Sequence, residues 1–272
     1  MTSETRSADK EKRLSILGHL NELRIRLTRS VIAIAIATGI AFAFANQIFG
    51  LLTYKSTLVK PVFDFLTTKA HLFPPPTINL IYIDITEMVG VYMKVCLISG
   101  IILSMPYLLY EAIMFVAPAL TKAERRRFIY TGLPFVGGMF LIGVLFAYFV
   151  LLPPALRFLT TFGSDIATPQ IRIGNYLSIV SRLLLAVGAI FEMPIVISVL
   201  SWMGVVSYKW LSGKRKWAAI IAFVVGAMVT PTLDPVNQTL VSLPIILLYE
   251  LSIWLSWIIG RRKKKAAAAR TD

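Results

Sequence analysis

Residues 175–204, NYLSIVSRLLLAVGAIFEMPIVISVLSWMG, form an apolar run long enough to cross a bilayer, yet they carry a carboxylate, Glu192, and a proline, Pro194, deep inside it. About 20 apolar residues span the hydrocarbon core at roughly 1.5 Å of rise each. On that rise Glu192 stands roughly 25 Å in from Asn175, where its side chain must face protein, water or a partner. Pro194 removes one backbone donor and crowds the preceding turn, which predicts a bend just past Glu192. A protonated acid bonded to a neighbouring helix would be the purely structural solution. The cost of a carboxylate in hydrocarbon points instead to a functional one.

The rest of the chain shares this character. Hydrophobic residues make up 57% of it and the mean hydropathy is +0.73, values of a polytopic membrane protein. The apolar runs predict six spans, at about 31–50, 86–109, 128–152, 175–204, 217–229 and 239–259, in a single membrane domain covering 1–272. The fifth run, at some 20 Å of helix, is shorter than a hydrocarbon core of about 30 Å, so the bilayer thins or flanking residues snorkel there. Prolines 153 and 154 are expected to end the third span, and Gly137 and Gly138 within it to allow close helix approach. The 34 or so residues between Leu51 and Asp84, with three prolines at 74–76, predict a partly ordered external loop. The lone Cys96 excludes an intramolecular disulfide or a CxxC site and reads as buried filler.

The formal charge of +14 is sided. Of the 28 Lys and Arg residues, 21 fall before the first span, in the loops after the second and fourth, and in the tail, against five in the other connections. By the positive-inside rule both termini are cytoplasmic, and the charge implies a membrane face and no nucleic acid. Early basic residues without an uninterrupted apolar core predict that the first helix is kept and not cleaved as a signal peptide. Before it, 14–27 pattern as an amphipathic helix lying at the interface and running into the first span, with Leu20, Leu23 and Leu27 opposite His19, Glu22 and Arg26.

Those residues, HLNELRIRL at 19–27, resemble the HLxELRxRL signature that opens the TatC family, the core receptor subunit of twin-arginine protein translocation. Three further segments agree in order: FVAPALTKAERR at 115–126 is similar to the family's first cytoplasmic loop, FEMP at 191–194 to its fourth helix, and TPTLDPVNQ at 230–238 to its TPxD-to-Q motif, with one residue inserted before the acid. Thr86, Glu87 and Lys94 also resemble the start of its second helix. The resemblance implies a curved, glove-like six-helix bundle with a concave face, in the cytoplasmic (inner) membrane. It implies no cofactor and no enzymatic activity. It further implies an oligomeric complex with the single-span proteins TatA and TatB, exporting folded proteins with twin-arginine signal peptides at the expense of the proton-motive force.

On this basis Glu22 and Glu124, with Arg24 and His19 beside the former, are expected to recognise the signal, because a carboxylate accepts a guanidinium fork bidentately where lysine offers one point charge. Glu192, Lys94 and Glu87 form the expected intramembrane polar site. Lys94 is expected to snorkel or to pair with a carboxylate, the sequence leaving both open. Thr230, Pro231, Asp234 and Gln238 are the expected contacts to TatA and TatB, capping and turn formation being the structural alternative. His71 and the charges Arg157, Asp165 and Arg172 read as solvent-facing. Glu250 is expected near an interface, with 251–259 available to prolong an interfacial helix.

Two other classes compete. A proton-coupled secondary transporter would use Glu192, Lys94 and Arg182 at the midplane, but the two halves show no inverted repeat. An intramembrane hydrolase needs a nucleophile with a base, and both histidines fall outside the spans. There is no Walker A loop and no HExxH, so nothing supports ATP hydrolysis or metal chemistry.

Overall fold

The computed structural model describes residues 3–56, 59–69, 79–116, 133–166, 168–230 and 234–268. It is a helical bundle, and five stretches among the described residues are long and apolar enough to cross a membrane: Leu20–Ala43, Glu87–Phe115, Phe135–Thr161, Ile173–Met203 and Pro235–Arg261.

The helices are α1 (Ser3–Ala43), α2 (Ala45–Leu52), α3 (Lys60–Lys69), α4 (Glu87–Val116), α5 (Leu133–Phe146), α6 (Leu152–Thr161), α7 (Ile173–Phe191), α8 (Met193–Met203), α9 (Tyr208–Gly213), α10 (Arg215–Val229) and α11 (Pro235–Ala268). Two two-residue strands, β1 (Leu80–Ile81) and β2 (Ile171–Arg172), pair in parallel. This ladder, absent from the sequence reading, ties the long loop to the start of α7.

Several boundaries differ from expectation. The first apolar stretch is 20–43 and not 31–50, because α1 runs unbroken through the amphipathic segment and is interrupted only at Phe44. The amphipathic segment runs into the span as one continuous helix, as its pattern predicts. The second helix continues past Leu109 to Val116 across Pro106, whose ring lies against Gly137 of α5, a residue with no Cβ to obstruct it. The third does not end at Pro153 and Pro154. A π-helical turn, Ala147–Leu151, precedes them, in which the Leu152 amide reaches back five residues to the Ala147 carbonyl. The wider turn shifts the hydrogen-bond register just before two residues that have no N–H, and the helix proceeds to Thr161. The last helix starts at Pro235 and runs without a break to Ala268, so 251–259 is part of one long rod.

Lipid tails are as apolar as leucine, so these helices are held by close packing and hydrogen bonds more than by transfer from water. Small residues mark the contacts. A Cβ on Gly100 of α4 would collide with the backbone of Thr38 on α1. Gly143 of α5 and Gly188 of α7 admit Phe191 and Phe140 respectively. Gly138, expected to serve in the same way, faces open space. At the loop end, tyrosine hydroxyls answer the terminal carbonyls of α2: Tyr148 donates to Leu51 O at 2.6 Å and Tyr176 to Leu52 O at 2.8 Å. Tyr54 donates to Tyr148 O at 3.1 Å, and burial pushes its phenol well above the usual range, so it stays a donor. Cys96 is fully buried beside Ala41 and Ala45, as filler.

Candidate functional site

Among the described residues, polar groups gather at several places along the bundle. At the end where the sequence places the cytoplasm, α1 presents Glu22 and Arg26 one helical turn apart. The Arg26 guanidinium donates through Nε and Nη2 to Glu22 Oε1, at 3.1 and 2.6 Å, and through Nη1 to Glu111 Oε2 at 2.8 Å. Tyr107, one turn before Glu111 on α4, donates to Glu111 Oε1 at 2.8 Å. Glu111 is 3% exposed; it lies on α4 beyond Leu109, the expected end of that span. The i,i+4 pair of Glu22 and Arg26 is thus part of a half-buried network, and one resident guanidinium already lies between two carboxylates. Arg24 is exposed on α1, and His19 precedes Glu22 by one turn. Glu124, with Arg125 to Arg127, lies outside the described residues.

In the second region α7 stops at Phe191 and α8 starts at Met193, Glu192 serving as the C-cap of one and the N-cap of the other. The helix break falls on Glu192 itself. Pro194 lacks the N–H that Ile190 O would accept, and the amides of Ile195 and Val196 both turn to Glu192 O at 3.0 Å. The side chain is 4% exposed. The Phe140 backbone N–H approaches the carboxyl without reaching good hydrogen-bond geometry, so neither oxygen has a well-formed partner among the described residues. Next to it, Phe191 forms part of an apolar groove of about 860 Å³, lined also by Phe146, Val150, Leu240, Leu243 and Leu247.

Lys94 and Glu87 do not share this site. Glu87 is the first residue of α4; its Oε1 accepts from Gly174 N at 3.2 Å and its Oε2 from Ile83 N and Arg172 Nη2, both at 3.1 Å. Lys94 donates to Ser178 Oγ at 3.2 Å. Ser178 and Glu192 are separated by about 20 Å of α7, so Glu192 stands apart from both. Arg182 is exposed on α7. A transporter site uniting Glu192, Lys94 and Arg182 is thus not formed. Arg172, expected to be solvated, bridges Asp84 at 2.9 Å and Glu87, and these carboxylates raise its pKa, Glu87 foremost.

The third region is the α10–α11 hairpin. Asp234 caps α11, accepting from Asn237 N at 2.8 Å, with Pro235 following at the position that needs no donor. Thr230 donates to Gly226 O at 2.9 Å and Gln238 to Phe223 O at 2.9 Å. Ser242 donates to Gln238 O at 2.7 Å and also lies 3.1 Å from Ala222 O. These are structural roles for three of the four expected contact residues; Pro231, like His71, lies outside the described residues. α10 has only 15 residues, about 22 Å of helix. Its outer face exposes Trp217, Ile220, Phe223, Val224 and Met228. At its start Arg215 holds Glu250 of α11 with two bonds, at 2.7 and 2.9 Å, which keeps Glu250 level with the basic loop, as an interfacial position requires.

Sequence reasoning missed Glu111. Its only local signal was the Tyr107–Glu111 spacing on an apolar stretch that continues past Pro106.

Comparison with known proteins bears on these regions together. The family model described as Sec-independent protein translocase protein (TatC) matches residues 18–244. The Sec-independent protein translocase protein TatC of Aquifex aeolicus is 40% identical over 261 residues, covering 94% of this chain and 100% of its own length. That of Carboxydothermus hydrogenoformans is 34% identical, covering 92% and 95%. A crystal structure described as the twin arginine translocase receptor TatC superposes with a TM-score of 0.71 at 38% identity, over 89% of this chain and 99% of that one. A second, in the detergent DDM, also gives 0.71, at 40% identity over 88% and 99%. The match runs from the Glu22 helix through the Glu192 break into the last helix, and the chain belongs to the TatC family of Sec-independent protein translocases, multi-pass proteins of the membrane.

Proposed function

We propose that this chain is the receptor subunit of a twin-arginine translocase, binding twin-arginine signal peptides at its cytoplasmic end and assembling with TatA and TatB to export folded proteins. Family membership supplies the class of activity. The observation that supports the site is the Arg26 guanidinium between Glu22 and Glu111: carboxylates here are already arranged around a guanidinium, in geometry a lysine ammonium does not reproduce. A signal arginine reaching Glu22 would share or take over the carboxylate that Arg26 holds, with Glu124 receiving the second. Each such contact contributes about 1.5 to 3 kcal/mol.

The topology proposed with this reading has six spans and both termini in the cytoplasm. α10 is the short fifth span, because the basic residues at 209–216 and in the tail then share one side with the N-terminus. Docking of the single-span partners is assigned to α10 and the 230–238 turn, adjoining the apolar groove beside Phe191. The Glu192 carboxyl, one residue beyond the groove-lining Phe191, would meet a polar group of the partner helix or water. As a neutral acid it can donate one hydrogen bond and accept another without placing an ion in lipid.

The test is signal-peptide crosslinking in membranes for Glu22→Gln and Glu124→Gln, with a two-lysine peptide as control. Loss in either variant is expected; unchanged crosslinking in both would remove the assignment.

A further inference from the structure

Lys94 and Arg182 are cations on the surface of stretches apolar enough to cross a membrane, and the register between α4 and α7 sets them side by side. Glu87 Oε1 holds Gly174 N at 3.2 Å, which puts these two residues at one level. Lys94 follows Glu87 by about 10 Å of helix, while its partner Ser178 follows Gly174 by only about 6 Å. The two helices therefore run in the same sense, and the lysine leans back by most of a turn toward the end where Asp84, Glu87 and Arg172 lie. Arg182 follows Gly174 by about 12 Å, level with the Lys94 backbone, one turn beyond Ser178 on the same face.

Neither cation has a carboxylate among the described residues. The two nearest by register, Asp84 and Glu87, are engaged by Arg172. Ser178 accepts from Lys94 and passes its own proton to Gly174 O at 2.6 Å, so it neutralises nothing. Two like charges at one depth, tilted toward the membrane surface and bordered by exposed Met93 and Leu97, need an anion that comes with the lipid.

We propose that Lys94, Ser178 and Arg182 form a binding site for the phosphodiester of an anionic phospholipid in the leaflet on the Glu87 side. The Arg182 fork takes the two non-bridging oxygens, Lys94 adds a further donor, and an acyl chain lies along Met93 and Leu97. The site is independent of the signal-recognition reading.

The test uses the full-length protein purified in a neutral detergent, with lipid retention read by native mass spectrometry and thermal unfolding read in parallel. Wild type is expected to retain phosphatidylglycerol in preference to phosphatidylcholine and to gain melting temperature from it. In Arg182→Gln, an exposed change that leaves the packing intact, retention of phosphatidylglycerol should fall roughly ten-fold, and Lys94→Gln should behave alike. Equal retention of the two lipids by wild type, or full retention of phosphatidylglycerol by both variants, overturns the site. A melting shift as large with soluble glycerol 1-phosphate overturns the lipid part and leaves a plain phosphate site. Displacement of the lipid by an acidic partner helix crosslinked at position 182 in membranes would assign the cations to that partner instead.

Discussion

Glu111 and Glu192 are both carboxylates buried in helices of the bundle, 3% and 4% exposed, and they are treated oppositely. Glu111 has each oxygen answered, one by Arg26 and one by Tyr107. Among the described residues Glu192 has no hydrogen bond of good geometry to either oxygen, only the Phe140 backbone close by, and it sits where a helix is broken. A satisfied buried charge network fixes two helices in register, whereas a buried acid without a partner costs stability in the isolated chain. The first arrangement is what a rigid recognition surface requires. The second is what a docking point for a membrane helix requires.

The sharpest way to break the contrast is to replace both acids by leucine. Glu111→Leu leaves Arg26 half-buried with only Glu22 and is expected to cost about 3 to 5 kcal/mol, read as thermal unfolding in detergent. Glu192→Leu removes an unanswered polar group and is expected to leave unfolding unchanged or shift it upward. Equal losses in the two variants would mean that Glu192 has a partner in the free protein.

Function should reverse the order. Glu192→Gln keeps a donor and an acceptor and should retain much export of a twin-arginine reporter. Glu192→Ala should lose about 1 to 3 kcal/mol of partner contact, visible as reduced co-purification of TatA and TatB with signal binding intact. If the glutamine variant is as inactive as a deletion while the alanine variant assembles normally, the hydrogen-bonding role is wrong.

Packing around the break can be probed without touching the acid. A Cβ at Gly143 would come within 2.7 Å of the Phe191 Cβ, so Gly143→Ala should cost about 1 to 3 kcal/mol. Gly138→Ala, facing open space, should cost nothing measurable. The smallest effect belongs to the α11 cap: Asp234→Ala should lose about 1 kcal/mol, and a larger loss of export than of stability would support a direct partner contact at the turn.

What could be read in advance followed from one-dimensional physics. Apolar run length placed the long helices, and the missing amide of Pro194 accounts for the helix break at Glu192. What could not be read needed a second helix. Arg26 and Glu111 lie 85 residues apart, and Arg172 meets Glu87 across the same distance, so only the register of packed helices reveals either pair. Prolines 153 and 154 misled for a local reason: a π turn is a hydrogen-bond adjustment with no clear residue signature. The same register separates Glu87 and Lys94 from Glu192, which sequence had grouped by polarity and depth alone.

On the proposed reading, the α1 end of this chain distinguishes paired arginines from paired lysines through Glu22. The most direct test is the affinity of the purified protein, in detergent, for a twin-arginine signal peptide and for its two-lysine counterpart, measured for wild type and Glu22→Gln. Wild type is expected to prefer the arginine peptide by roughly ten-fold or more, and Glu22→Gln to lose most of that preference. Equal affinity of wild type for the two peptides, or a preference untouched in Glu22→Gln, would contradict it.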